Sequence, residues 1–145
     1  MLNNETELNL SEMLGAVESP SVQQLTLFIP NKDKKGNEFR SFDAWVKKAQ
    51  KVLSIIGGGS TTMPPADGTW LDPRKKIDNP EKLLDIDLVW EKTTIVYTYI
   101  QPDKFENNLL LLRKFLHSFG RETNQGEVVC EFDGQFFRIS KYDLK

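Results

Sequence analysis

Gly57-Gly58-Gly59, followed directly by Ser60, Thr61 and Thr62, is the stretch of this 145-residue chain whose residue types and spacing point most directly at chemistry. One left-handed glycine suffices to end a helix. The extra glycines let backbone N–H groups approach a ligand, and the three hydroxyls add donors for an anionic or carbonyl oxygen. The run follows a predicted helix instead of leading into one, so it meets the negative end of the helix dipole, which repels phosphate. The Lys-Ser/Thr of a phosphate-binding loop is also missing. The stretch is either a tight helix-to-strand turn or a ligand-contacting lip that includes Gly58, Gly59, Ser60, Thr61 and Thr62. Asp67 and Trp70 can reach the same lip, Trp70 serving either as core or as a stacking wall for a planar ligand. Arg121, Asn124 and Gln125 form a second loop rich in directed hydrogen-bonding groups. Arg121 can clamp an anion through two N–H groups, or the loop satisfies its own backbone.

The candidates for proton transfer are Glu91, Tyr97 and His117. Tyr97 and Tyr99 share one face of a strand, which suits either a ligand cleft or, preferably, an interface between two copies of the chain, since exposed aromatic area is costly to leave wet. His117 falls in the last turn of a helix, where the dipole stabilises its protonated form. An acid–base role there needs a carboxylate to orient the ring and a cleft beside it. Asp33 raises a metal-dependent ribonuclease, but it lies two residues beyond the end of its strand in a lysine-rich loop, with no second carboxylate at a diagnostic spacing. A Gly-x-Ser-x-Gly elbow is absent. Lys32, Lys34 and Lys35, with Arg74, Lys75 and Lys76, form two basic loop clusters that are either solvated or a modest phosphate-facing patch.

Composition removes whole classes. With Cys130 the only cysteine and His117 the only histidine, disulfide frameworks and cysteine- or histidine-rich metal sites are excluded. No metal and no cofactor is expected. No apolar run approaches the roughly 18–20 residues of a membrane span. The net charge is −2, with four acids and no base in residues 1–20, so the body is nearly neutral and nucleic acid is an unlikely partner. The first residues lack the features of a signal peptide, and the single thiol fits a reducing cytoplasm.

These groups must be positioned by local structure. Residues 1–20 are predicted as a flexible acidic arm, or a short helix needing a partner, interrupted by Gly15; residues 21–145 form one domain. Gln23 to Ile29 has strand composition and ends at Pro30. From Ser41 as N-cap, the spacing of Phe42, Trp45, Val46, Ala49, Leu53 and Ile56 predicts a helix over 41–56. Ser60 to Met63, Thr69 to Leu71 and Thr93 to Ile100 are extended, with Pro64-Pro65 confined to an edge. A second helix spans 102–119, its stripe being Phe105, Leu109, Leu112, Leu116 and Phe119, with Gly120 as its stop. Asp133-Gly134 predicts a hairpin in which Cys130 faces Phe137 and Val128 faces Ile139.

The order β, α, β, β, α, β, β predicts an α+β fold: a ferredoxin-like split βαβ sandwich with an antiparallel sheet, two helices on one face and a C-terminal β-hairpin. At this level the chain resembles small bacterial ferredoxin-like proteins of uncharacterised function, through Leu25-Thr-Leu-Phe-Ile-Pro30, Gly57-Gly58, Gly68-Thr69-Trp70, and Glu91 ahead of Thr94-Ile-Val-Tyr97. The resemblance spans about residues 23–140 and implies no activity. The functional expectation is a non-catalytic binding or regulatory module of bacterial or phage type, a homodimer that engages a partner protein or small polar ligand through Gly58–Trp70 and Arg121–Gln125. The alternative is a small dimeric α+β barrel-type enzyme in which Glu91, Tyr97 or His117 transfers a proton on a small organic substrate.

Overall fold

The computed structural model describes residues 10–16, 20–72 and 74–144. Of the expected N-terminal arm, residues 1–9 and 17–19 lie outside the described residues. Residues 10–14 are helical, with Met13 and Leu14 exposed, and Gly15 ends the turn at φ 69°.

Six antiparallel strands, β1 (Gln24–Pro30), β2 (Thr61–Thr62), β3 (Ala66–Leu71), β4 (Leu88–Tyr99), β5 (Val128–Phe132) and β6 (Gln135–Ile139), form one sheet. Its order is β2-β4-β1-β5-β6, and β3 also pairs with β4. Strands β2 and β3 act as one edge strand broken at Pro64-Pro65, where proline's missing N–H costs the ladder nothing. The helices are α1 (Phe42–Gly57), α2 (Pro102–Asn107) and α3 (Leu109–Glu122).

Strand alternation decides which side the helices cover. Leu25, Leu27, Ile29, Val96, Val128 and Cys130 are buried and share one core with Trp45, Ala49, Leu53 and Ile56 of α1 and Leu112, Phe115, Leu116 and Phe119 of α3. Both long helices therefore lie on one face of the sheet, as expected. Phe119 is its aromatic centre, with ring centroids 5.4 Å from Trp45 and 5.9 Å from Phe39. The intervening residues Thr26, Phe28, Pro30, Glu91, Thr93, Ile95, Tyr97 and Val129 are only half-buried, on the uncovered face.

Several local expectations change. Ser41 adopts φ 66° and its hydroxyl caps nothing. A side-chain cap requires extended backbone at that position, and here only the Ser41 carbonyl contributes, accepting from the Trp45 N–H at 3.1 Å. The second helix breaks at Asn108, at φ −120°, whose side-chain amide donates to the Lys104 carbonyl at 2.7 Å. Asparagine competes with helical hydrogen bonding in this way, and the break leaves Leu109 exposed instead of in the core stripe. Gly120 does not stop the helix but lies inside it. The hairpin register is as expected, Cys130 opposite Phe137 and Val128 opposite Ile139, turned by Asp133 and Gly134 at φ 51° and 84°.

Packing and backbone conformation account for the first two glycines of the run. A Cβ at Gly57 would overlap Thr98 Oγ1 and sit 2.6 Å from the Tyr99 carbonyl oxygen. Gly58 is the left-handed C-cap at φ 87°, donating to the Ser54 carbonyl at 2.8 Å. Gly59 has nothing near it, though its carbonyl accepts the Thr98 hydroxyl at 2.6 Å.

Candidate functional site: a groove on the open sheet face

A groove of about 930 Å³ crosses one end of the uncovered face. Its floor is Phe28 and Pro30 of β1, Thr93 of β4 and Val129 of β5. One wall is Trp70 and Glu91 from the β3–β4 pair; the other is Phe136 and Arg138 of β6, with Glu127. Asp33, Lys34 and Lys35 form the rim, with Arg74 and Gln125 also facing the space. Strand pairing dictates this: Gly68 stands opposite Glu91, Trp70 opposite Val89, and Arg138 opposite Val129, and directly opposed residues point to the same side of a sheet.

Glu91 is the distinctive charge. Burial pushes its carboxyl above the usual carboxylate range, opposed by the neighbouring Trp70 indole and by the nearby Lys32 ammonium. Its side chain lies over Gly68, where a Cβ would come within 3.2 Å of Glu91 Cγ and 2.8 Å of Thr93 Oγ1. Gly68 is thus a cleared seat for the carboxylate. The opposite wall is aromatic, Phe28 and Phe136 meeting edge to face with centroids 6.1 Å apart and the Arg138 guanidinium 5.1 Å from the Phe136 centroid. Arg138 Nε stands 3.8 Å from Glu127, so neither charge is tied up in a close pair.

Of the residues singled out from sequence, Trp70, Glu91 and Gln125 meet in this groove, with part of both basic clusters. Asp33 lines it too, although its carboxylate accepts the Lys35 and Asn37 N–H groups at 2.8 and 3.0 Å. The others lie elsewhere. Tyr97 is six residues from Glu91 along β4, about 20 Å away, and Gly58, Gly59, Ser60, Thr61 and Thr62 are at that same far end, Thr61 pairing with Tyr97. Asp67 pairs with Lys92 on β3 and β4. Arg121 donates to the Asp143 carbonyl at 2.5 Å, and Asn124, at φ 55°, accepts the Lys34 N–H at 3.0 Å. His117 is buried on the helix side of the sheet, its Nδ1 accepting the Asp143 N–H at 2.8 Å. Cys130 is buried, which raises its thiol pKa. Phe28, Thr93, Glu127, Phe136 and Arg138 were not visible from sequence, because only the strand order places them side by side. The period-two alternation of β1 and β6 was the available signal, and it does not say which strands are neighbours.

No helix among the described residues is long and apolar enough to cross a membrane. No family model and no curated protein matches the chain. Its fold is similar to two solved structures of phage SAM lyase. One, in complex with S-methyl-5′-thioadenosine, is 12% identical with a TM-score of 0.52, the match covering 83% of this chain and 91% of the other. The second, in the apo state, is 11% identical with a TM-score of 0.52, covering 85% and 92%. The expected likeness to bacterial ferredoxin-like proteins of uncharacterised function is corrected accordingly: these two solved chains of similar fold are of a phage enzyme. The expectation of a non-catalytic binding module, drawn from ligand-capable loops without a complete catalytic constellation, is corrected by the same likeness, which favours the enzyme alternative.

Proposed function

We propose that the chain is an enzyme of the SAM lyase kind, built on a ferredoxin-like split βαβ frame, which binds S-adenosylmethionine in the sheet-face groove and releases S-methyl-5′-thioadenosine. The observation that carries this reading is the half-buried Glu91 carboxyl, seated over Gly68 beside Trp70 in an aromatic-walled groove, within a fold similar to that of phage SAM lyase. The substrate presents a planar adenine and a cationic sulfonium, and aromatic faces suit both. Trp70, Phe28 and Phe136 supply those faces.

Cleavage sends the electron pair of a C–S bond to sulfur, so the sulfonium becomes a neutral thioether. In a lyase the carbon left behind takes electrons from within the substrate. They come either from its own carboxylate oxygen, which closes a ring, or from an adjacent C–H bond whose proton Glu91 accepts. Both routes destroy one positive and one negative charge, so a weakly polar groove favours them. A carboxylate against the sulfonium itself would bind the ground state better than the transition state. Glu91 therefore acts on the carbon fragment, as base or by holding the α-ammonium.

A second copy of the chain on the far end of the open sheet face is part of the proposal, supported by the exposed Tyr99 beside Tyr97, in the reducing cytoplasm that the lone thiol suits. Incubation with S-adenosylmethionine and chromatography of the products tests the activity. Formation of S-methyl-5′-thioadenosine that falls at least about 100-fold in Glu91→Gln is expected, and identifying the carbon fragment as lactone or alkene separates the routes. Folded wild-type protein that neither binds nor forms S-methyl-5′-thioadenosine overturns the reading.

A further inference from the structure

We propose that Tyr142, in the C-terminal segment lying across α3, is a positioning residue for the groove: through Gln125 it fixes the basic loop 31–37 that forms the rim. The segment is anchored to successive turns of α3. Arg113 donates to both carboxylate oxygens of Asp143 at 2.7 and 2.9 Å, His117 Nδ1 accepts the Asp143 N–H, and Arg121 holds the Asp143 carbonyl. The Tyr142 ring occupies the space that a Cβ on Gly120 would need, which accounts for a glycine inside a helix.

From this seat the Tyr142 hydroxyl donates to the Gln125 carbonyl at 2.8 Å. Gln125 is buried, and its amide nitrogen donates to Thr123 Oγ1 at 3.1 Å and to the Lys32 carbonyl at 3.0 Å. The neighbouring Asn124 carbonyl takes the Lys34 N–H. One buried glutamine thus joins the C-terminal segment to the foot of the loop that carries Lys32, Asp33, Lys34 and Lys35, and Lys32 is the cation beside Glu91. These bonds form one contiguous physical connection from the C-terminal segment, which lies outside the sheet, to the loop that overhangs the groove.

Amide exchange in the full-length chain tests this. Tyr142→Phe, which removes only the hydroxyl, is expected to speed exchange at Lys34, Lys35 and Asn37 about fivefold, the loss of one net hydrogen bond, while Leu27 and Val96 in the sheet stay unchanged. Gly120→Ala, which unseats the ring, should do at least as much. A loop rate unchanged within twofold in both variants, or an equal acceleration across loop and sheet, overturns the proposal. The consequence for ligand rests on the function proposed above: affinity for S-methyl-5′-thioadenosine should fall about fivefold in Tyr142→Phe. If the wild-type chain does not bind that compound, the functional reading fails, and the exchange measurement still decides the role of Tyr142.

Discussion

Gly68→Ala tests whether the seat of Glu91 matters. Gly68 is not at positive φ, so in a strand alanine would ordinarily gain about 0.5–1 kcal/mol from reduced unfolded-state entropy. Here the new Cβ stands 2.8 Å from Thr93 Oγ1 and 3.2 Å from Glu91 Cγ. Thr93 is β-branched and stiff at χ1, whereas Glu91 is flexible, so the relief is Glu91 swinging off its seat. Overpacking costs about 1–3 kcal/mol, leaving a net destabilisation of about 0–2.5 kcal/mol, or at most about 8 °C in Tm for a chain of this size. Displacing a carboxylate that makes one charged hydrogen bond to the ligand costs about 1.5–3 kcal/mol, roughly 10- to 150-fold in kcat/KM for S-adenosylmethionine. Thermal melts and steady-state turnover together check it. Wild-type turnover in a variant whose Tm has moved as expected would refute the assignment of Glu91 to the site.

Glu91→Gln is expected to be no less stable than wild type at pH 7. Burial holds the Glu91 pKa above its unfolded value, so its favourable contribution is present below the unfolded pKa, near 4.3, and is lost as pH rises through the folded one; melting both proteins across pH should show the gap closing as pH falls, and a constant or reversed gap counts against it. Gly57→Ala should cost about 2 kcal/mol or more by urea unfolding, since its Cβ meets backbone at Tyr99, while Gly59→Ala, with open space, should stay within about 0.5 kcal/mol. Phe119→Ala empties the centre of the core and should cost about 3–5 kcal/mol with an unchanged m-value.

The parts of this protein legible from sequence are those set by neighbours in the chain. The apolar spacing of Trp45, Ala49, Leu53 and Ile56 determines α1, because helical periodicity is a local property, and Asp133-Gly134 determines the hairpin and its register, because only such residues take two successive positive φ angles cheaply. Asn108 and Ser41 depart from the apolar pattern for local reasons that periodicity does not register: the Asn108 amide takes the Lys104 carbonyl, and Ser41 adopts a positive φ that its hydroxyl cannot cap from. The groove belongs to tertiary structure. Gly68 and Trp70, Glu91, Gln125 and Phe136 come from four separate segments, and alternation along a strand divides residues between two faces without saying which face the helices cover. Helix packing on Leu25, Leu27, Ile29 and Val96 made that choice, and the β4-β1-β5-β6 order then laid Glu91, Phe28 and Arg138 across one uncovered surface.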